Sequence, residues 1–137
     1  YGHHPAEVMA TLEAARKVFD QRVLVAFQPH RYSRTSHLFD EFTRAFNGAD
    51  SVIIADIYAA GEKPIAGVSA ESLVEAIRKH GHHAVRYVGD KAAIAETLAA
   101  EAQPGDAVIA LGAVDINKIL PVIADKLEAR FGKGSSA

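Results

Sequence analysis

Two rhythms of apolar residues alternate along the chain. After Pro5, Val8, Leu12, Ala15 and Phe19 recur at spacings of four, three and four, the pattern of one helical face. Pro5 suits the first turn of that helix, where its missing N–H costs nothing. Arg22 to Phe27 then carries the run Val-Leu-Val-Ala-Phe, which predicts a short buried strand. A second helix is predicted from about Ser36 through Phe39, Phe42 and Phe46, ended by Asn47-Gly48 with Gly48 in the left-handed position. Ser51 to Ile57 predicts a second strand, and 58–68 a long loop punctuated by Gly61, Pro64 and Gly67.

The alternation continues to the end of the sequence. Ser69 is placed to cap a helix through Leu73 and Ile77 to about His80, closed by Gly81. Ala84 to Val88 predicts a short strand. Asp90 is placed to cap a helix through Ile94 and Leu98, stopped by Pro104-Gly105. A strand over Ala107 to Leu111 follows. Asp115 is placed to cap a last helix with Ile116, Leu120, Ile123, Leu127 and Phe131 on one face, kinked at Pro121. The stretch 132–137 reads as a flexible tail. Strands that are apolar throughout, separated by amphipathic helices, predict an α/β fold with a mostly parallel sheet covered on both faces. The first helix has no strand before it, and one is expected to end just ahead of Tyr1.

Composition narrows the function classes. The 137 residues suit one domain, and 49% hydrophobic with 23% charged residues is ordinary globular usage. There is no Cys, which removes disulfides, thiolate zinc sites and cysteine nucleophiles. The net charge of -2 carries no global basic field for nucleic acid. No apolar run approaches a membrane span. G-x-x-x-x-G-K-[ST], G-x-G-x-x-G and G-x-S-x-G are all absent.

The chemistry gathers in the loops leaving the strands, where α/β sheets bind ligands. His30, Arg31 and Arg34 crowd into the loop 28–35, with no acid between Asp20 and Asp40. Arginine forks match carboxylates and phosphates, so this loop reads as an anion site, helped by the N-terminus of the following helix. Glu62 and Lys63, after Tyr58, are charges in a Gly-containing loop that meet a substrate or only each other. His3-His4 could bind metal or orient an anion, against a structural role. His80, His82 and His83 precede a strand rather than follow one, and read as a solvated turn. No metal site is expected. The residues alone thus describe an anion-binding α/β domain without a complete catalytic set.

The motifs carry a resemblance. Tyr1-Gly2-His3-His4-Pro5, Phe27-Gln28-Pro29-His30-Arg31-Tyr32-Ser33-Arg34-Thr35, Asp56-Ile57-Tyr58-Ala59-Ala60-Gly61-Glu62 and Leu111-Gly112-Ala113-Val114-Asp115-Ile116 resemble, in order, the C-terminal domain of the UDP-N-acetylmuramate–L-alanine ligase family of muramyl ligases. The resemblance covers nearly the whole chain. It implies a Rossmann-like three-layer domain over 1–131 that closes over ATP and delivers the amino acid. It implies a bacterial cytoplasmic enzyme of peptidoglycan synthesis, joining L-alanine to UDP-N-acetylmuramate through an acyl phosphate, with ATP and Mg2+. By motif, Arg31 and Arg34 would hold the alanine carboxylate with His30 beside them. His3 would lie near the γ-phosphate and the amino acid, and Tyr1 near the adenine. Tyr58, Glu62 and Lys63 are further loop contacts. The family's acidic residue before the Tyr lies outside this chain, and Val114 stands where Gly is usual, which bears on any close approach of phosphate.

The chain starts without Met and contains no P-loop. It is therefore expected to be about the last third of a larger enzyme, inactive and without bound cofactor by itself. The competing readings are a related muramyl peptide ligase, a non-catalytic anion-binding module and a histidine-rich metal binder.

Overall fold

The computed structural model describes residues 4–112 and 114–132, with the backbone alone at Val114 and Asp115. Helix α1 (Pro5–Val18) opens with Pro5 in its first turn and His4 as N-cap. His4 Nδ1 accepts from the Ala6 N–H at 3.1 Å, and Glu7 accepts from the His4 N–H at 3.0 Å. His4 is thus a helix cap. Phe19, expected on the buried face of α1, ends the helix half-exposed.

Four parallel strands follow: β1 (Val23–Gln28), β2 (Ser51–Ile54), β3 (Val85–Tyr87) and β4 (Ala107–Gly112), in the spatial order β3-β2-β1-β4. β1 is paired on both edges and covered on both faces, so all six of its residues are buried. Odd-numbered β1 residues face one core: Val23, Val25 and Phe27 meet Val8 and Leu12 of α1, Phe42, and Leu73 and Ile77 of α4 (Ala70–Lys79). Leu24 and Ala26 face the other, with Ile94 and Leu98 of α5 (Lys91–Glu101) and Ile123 and Leu127 of α6 (Ile119–Phe131). This is the expected three-layer α/β arrangement. Ser69 and Asp90 cap α4 and α5 as predicted, accepting from the Ser72 and Ala93 N–H groups.

Four local expectations are corrected. The basic loop is partly helical: α2 (Tyr32–His37) starts before Ser36, and a break at Leu38 separates it from α3 (Phe39–Phe42). Phe42 and Phe46 still pack on Phe27 at 5.2 Å between ring centroids. Gly48 does not take a left-handed conformation; its place is set by space, since a Cβ there would lie 3.2 Å from Leu12 Cβ. β2 stops at Ile54 rather than Ile57. A 3-10 turn (Val114–Lys118) precedes α6, whose N-cap is Lys118 rather than Asp115. Pro121 therefore falls in the first turn of α6, where its missing N–H removes no helical bond. Phe131 is exposed under the Arg130 guanidinium, 4.4 Å from its ring centroid.

The chain order places the crevice. The crossovers from β1 to β2 and from β2 to β3 run over the first face. The crossover through α5 runs over the second and enters the sheet at β4, beside β1. The loops leaving β1 and β4 diverge to opposite faces, which is the switch point where open α/β sheets hold ligands.

Candidate functional site

At the carboxyl end of β1, Gln28 is buried, and its Nε2 donates to the Asp56 carbonyl at 3.2 Å. Its Oε1 is buried without a partner among the described residues. Beyond it the chain pairs with the loop after β2 outside the regular strands. His30 bridges Tyr58, the Tyr58 N–H donates to the Pro29 carbonyl at 2.9 Å, and the Arg31 N–H donates to the Tyr58 carbonyl at 2.8 Å. The His30 and Tyr58 rings stack at 5.8 Å, 12° from parallel.

Arg31 is held at φ 71°, ψ 142°, an uncommon conformation for a residue with a Cβ. Its backbone is bonded on both sides. The N–H reaches Tyr58, and the carbonyl accepts from the Thr35 N–H at 3.2 Å and the Thr35 hydroxyl at 2.7 Å. Arg34 lies in α2 and its Nη1 is 3.3 Å from His30 Nδ1. A guanidinium only donates, so His30 presents the Nδ1 lone pair to it.

Glu62 does not turn to Lys63. It accepts from the Ser33 N–H at 3.0 Å and the Ser33 hydroxyl at 2.5 Å. These bonds, the hydroxyl's first, hold the Glu62 carboxyl below its ordinary pKa. The first turn of α2, expected to help bind an anion, thus already has a carboxylate of the protein on one of its N–H groups. Lys63 is exposed and makes no ion pair with Glu62.

The two ends of the sheet handle arginine differently. At the amino end, Arg16 pairs with Asp50 at 2.7 Å, Arg22 with Asp106 at 2.8 Å, and Arg86 with Glu101. Arg44 pairs with Asp40, while Arg78 and Arg130 donate to backbone carbonyls. At the carboxyl end, neither Arg31 nor Arg34 makes an ion pair among the described residues. The Arg31 charge acts through space on Glu62, adding to the Ser33 bonds that hold that carboxyl low.

Tyr1 and His3 lie outside the described residues, as do Ala113 and the side chains of Val114 and Asp115. In the turn after β4 the left-handed position falls on Gly112, at φ 104°, and Val114 enters the 3-10 turn. His80 and His83 are exposed, and His82 Nε2 bonds the Ala49 carbonyl at 2.8 Å. Among the described residues no three His, Asp or Glu side chains gather as metal ligands. Sequence reading missed Gln28, Ser33 and the pair Tyr87–Asp56, whose hydroxyl donates to Asp56 Oδ1 at 2.5 Å. A polar residue closing an apolar strand was the available signal for Gln28.

A family model described as Mur ligase, glutamate ligase domain, matches residues 1–114. The chain belongs to the Mur ligase family. This Mur ligase domain is 59% identical over 133 residues to the UDP-N-acetylmuramate–L-alanine ligase of Sorangium cellulosum (strain So ce56), covering 95% of the chain and 28% of that protein. It is 52% identical over 128 residues to the protein of that name from Geotalea uraniireducens (strain Rf4), covering 93% and 28%. The chain thus spans a little over a quarter of these relatives. Among solved structures it is similar to the UDP-N-acetylmuramate–alanine ligase of Thermotoga maritima, with TM-score 0.74, 20% identity, and 95% of this chain and 26% of that one covered. It is also similar to a murein peptide ligase of Psychrobacter arcticus 273-4, with TM-score 0.67, 19% identity, and 100% and 27% covered. At these identities the structures establish the shared fold, which ligases of different names have in common.

Proposed function

We propose that this Mur ligase domain, over residues 1–131, is the amino-acid-binding domain of an ATP-dependent UDP-N-acetylmuramate–L-alanine ligase. The full enzyme would serve bacterial peptidoglycan precursor synthesis in the cytoplasm. The observation that carries the reading is the pair Arg31 and Arg34, neither ion-paired among the described residues, beside His30 at the switch point of the sheet. The names of relatives more than half identical support the substrate.

In this reading Arg31 and Arg34 bind the alanine carboxylate through charge-assisted hydrogen bonds. The His30 contact limits how far the Arg34 fork can move. Fixing the carboxylate aims the amine at the activated lactyl carbonyl, which is catalysis by positioning. ATP supplies the phosphoryl group that activates the lactyl carboxylate as an acyl phosphate, with Mg2+ in the full enzyme. Among the described residues no three His, Asp or Glu side chains form a metal cradle. Tyr1 and His3 remain assigned by motif to the adenine and to the γ-phosphate side.

The test is ATP-dependent ligation of L-alanine to UDP-N-acetylmuramate by the full-length protein, with a tripeptide as competitor. Preferred use of the tripeptide would replace this reading with the peptide ligase. The isolated 137 residues should show no ligation, and measurable turnover by them would overturn that part.

A further inference from the structure

We propose that Glu62 is a positioning residue for amino-acid binding, acting through Ser33 on the two arginines rather than touching substrate. This rests on the reading of Arg31 and Arg34 as the carboxylate fork. Ser33 lies between them in sequence, and Glu62 grips it at both the N–H and the hydroxyl, at 3.0 and 2.5 Å. Arg31 keeps its φ of 71° only while the surrounding bonds outweigh the strain. Thr35 holds the Arg31 carbonyl from within α2, and the rest comes from the loop after β2: Tyr58 takes the Arg31 N–H, and Glu62, four residues on, takes Ser33. The Glu62 N–H in turn donates to the Ala59 carbonyl at 3.0 Å, closing a turn through Ala60 at φ 52° and Gly61 at φ 86°. The carboxylate is thus presented by a tight turn to the first turn of α2. α2 has six residues and no side-chain cap of its own on Arg31. A carboxylate from a different loop does the work of a cap, and it sets the direction in which Arg31 and Arg34 leave the helix.

The test uses the full-length protein and separates KM for L-alanine from KM for ATP and from kcat. Glu62→Ala should raise the alanine KM about tenfold or more, with ATP KM and saturated kcat changed less than about threefold. Glu62→Gln, which keeps one acceptor for the Ser33 N–H but loses the charge and the second acceptor, should give a smaller rise of about threefold or more, without unfolding. Ser33→Ala should give a smaller rise, since it keeps the N–H bond, and the double variant no more than Glu62→Ala alone, since the hydroxyl bond is already lost there. Ser33→Thr keeps both donors and should restore near-normal KM. An unchanged alanine KM in Glu62→Gln, or equal rises for alanine and ATP, would overturn the proposal. Arg34→Ala run alongside distinguishes the failures. If it raises the alanine KM and Glu62→Gln does not, only the positioning role falls. If Arg34→Ala leaves the alanine KM unchanged, the fork reading falls and takes this one with it.

Discussion

Gly112 lies against Gln28 so closely that a Cβ on it would sit 1.9 Å from the Gln28 carbonyl oxygen. The two residues are register partners at the carboxyl ends of β4 and β1, and Gly112 takes φ 104° as the chain turns away. Close backbone approach and a left-handed turn coincide at one residue of the switch point.

Gly112→Ala should therefore destabilise the fold by about 3 kcal/mol or more, adding a backbone clash to left-handed strain. Gly61→Ala is the control. Its φ is 86° but nothing lies within 4 Å of the new Cβ, so the cost should be near 1 kcal/mol. Urea denaturation of the two variants checks this, and equal costs would contradict the close approach.

Arg34→Ala should weaken alanine use in the full-length enzyme by about 2 kcal/mol, roughly 30-fold in KM, the scale for truncating one side of a hydrogen-bonded charge pair. Arg34→Lys should recover little, because a point charge cannot replace a planar fork shared with His30. Steady-state kinetics with alanine varied at saturating ATP reads both.

Asp106 carries a pH signature. Burial would raise its carboxyl, but hydrogen bonds from the Gln103 N–H and from the Arg22 side chain and N–H outweigh that and hold it below its ordinary value. A depressed acid stabilises the fold above its unfolded pKa, and loses that contribution as pH falls through its folded pKa. Stability should thus decline below about pH 4. Asp106→Asn should cost about 2 kcal/mol at pH 7 and flatten that decline. Thermal melts from pH 2 to 7 would show it.

Tyr87 should titrate late. Its hydroxyl donates to Asp56, and losing that proton beside a carboxylate pushes it up to about 12. The pair's contribution is present below pH 10 and fades as pH rises through 12. Ultraviolet titration should find one tyrosine ionising later than ordinary tyrosine, and Asp56→Asn should bring it back toward 10. A Tyr87→Phe variant that leaves the late component in place would assign it elsewhere.

The legible parts of this domain were local ones. Helical spacing in α1 and α4, the caps Ser69 and Asp90, and the apolar runs of β1 and β4 depend on neighbours a few residues away, and the α/β layering follows from their alternation. The basic cluster was legible because His30, Arg31 and Arg34 fall within five residues after an apolar run. The early start of α2 was not, because its first turn is capped from another loop. The place of Pro121 was misread because a 3-10 turn interrupts an otherwise continuous apolar period.

By itself the sequence determined the class of fold, the alternation of strands and helices, and the clustering of His30, Arg31 and Arg34 after the first strand. Only the tertiary structure decided which charges remain available and which are consumed. Glu62 meets Ser33 across 29 residues, Gln28 meets Asp56 across 28 and Tyr87 meets Asp56 across 31. Those meetings depend on the parallel register of β1, β2 and β3, which no short stretch of chain encodes. The β1–β4 pairing sets Gly112 against Gln28, and the pairing beyond β1 and β2 holds Arg31 in a conformation its own side chain disfavours.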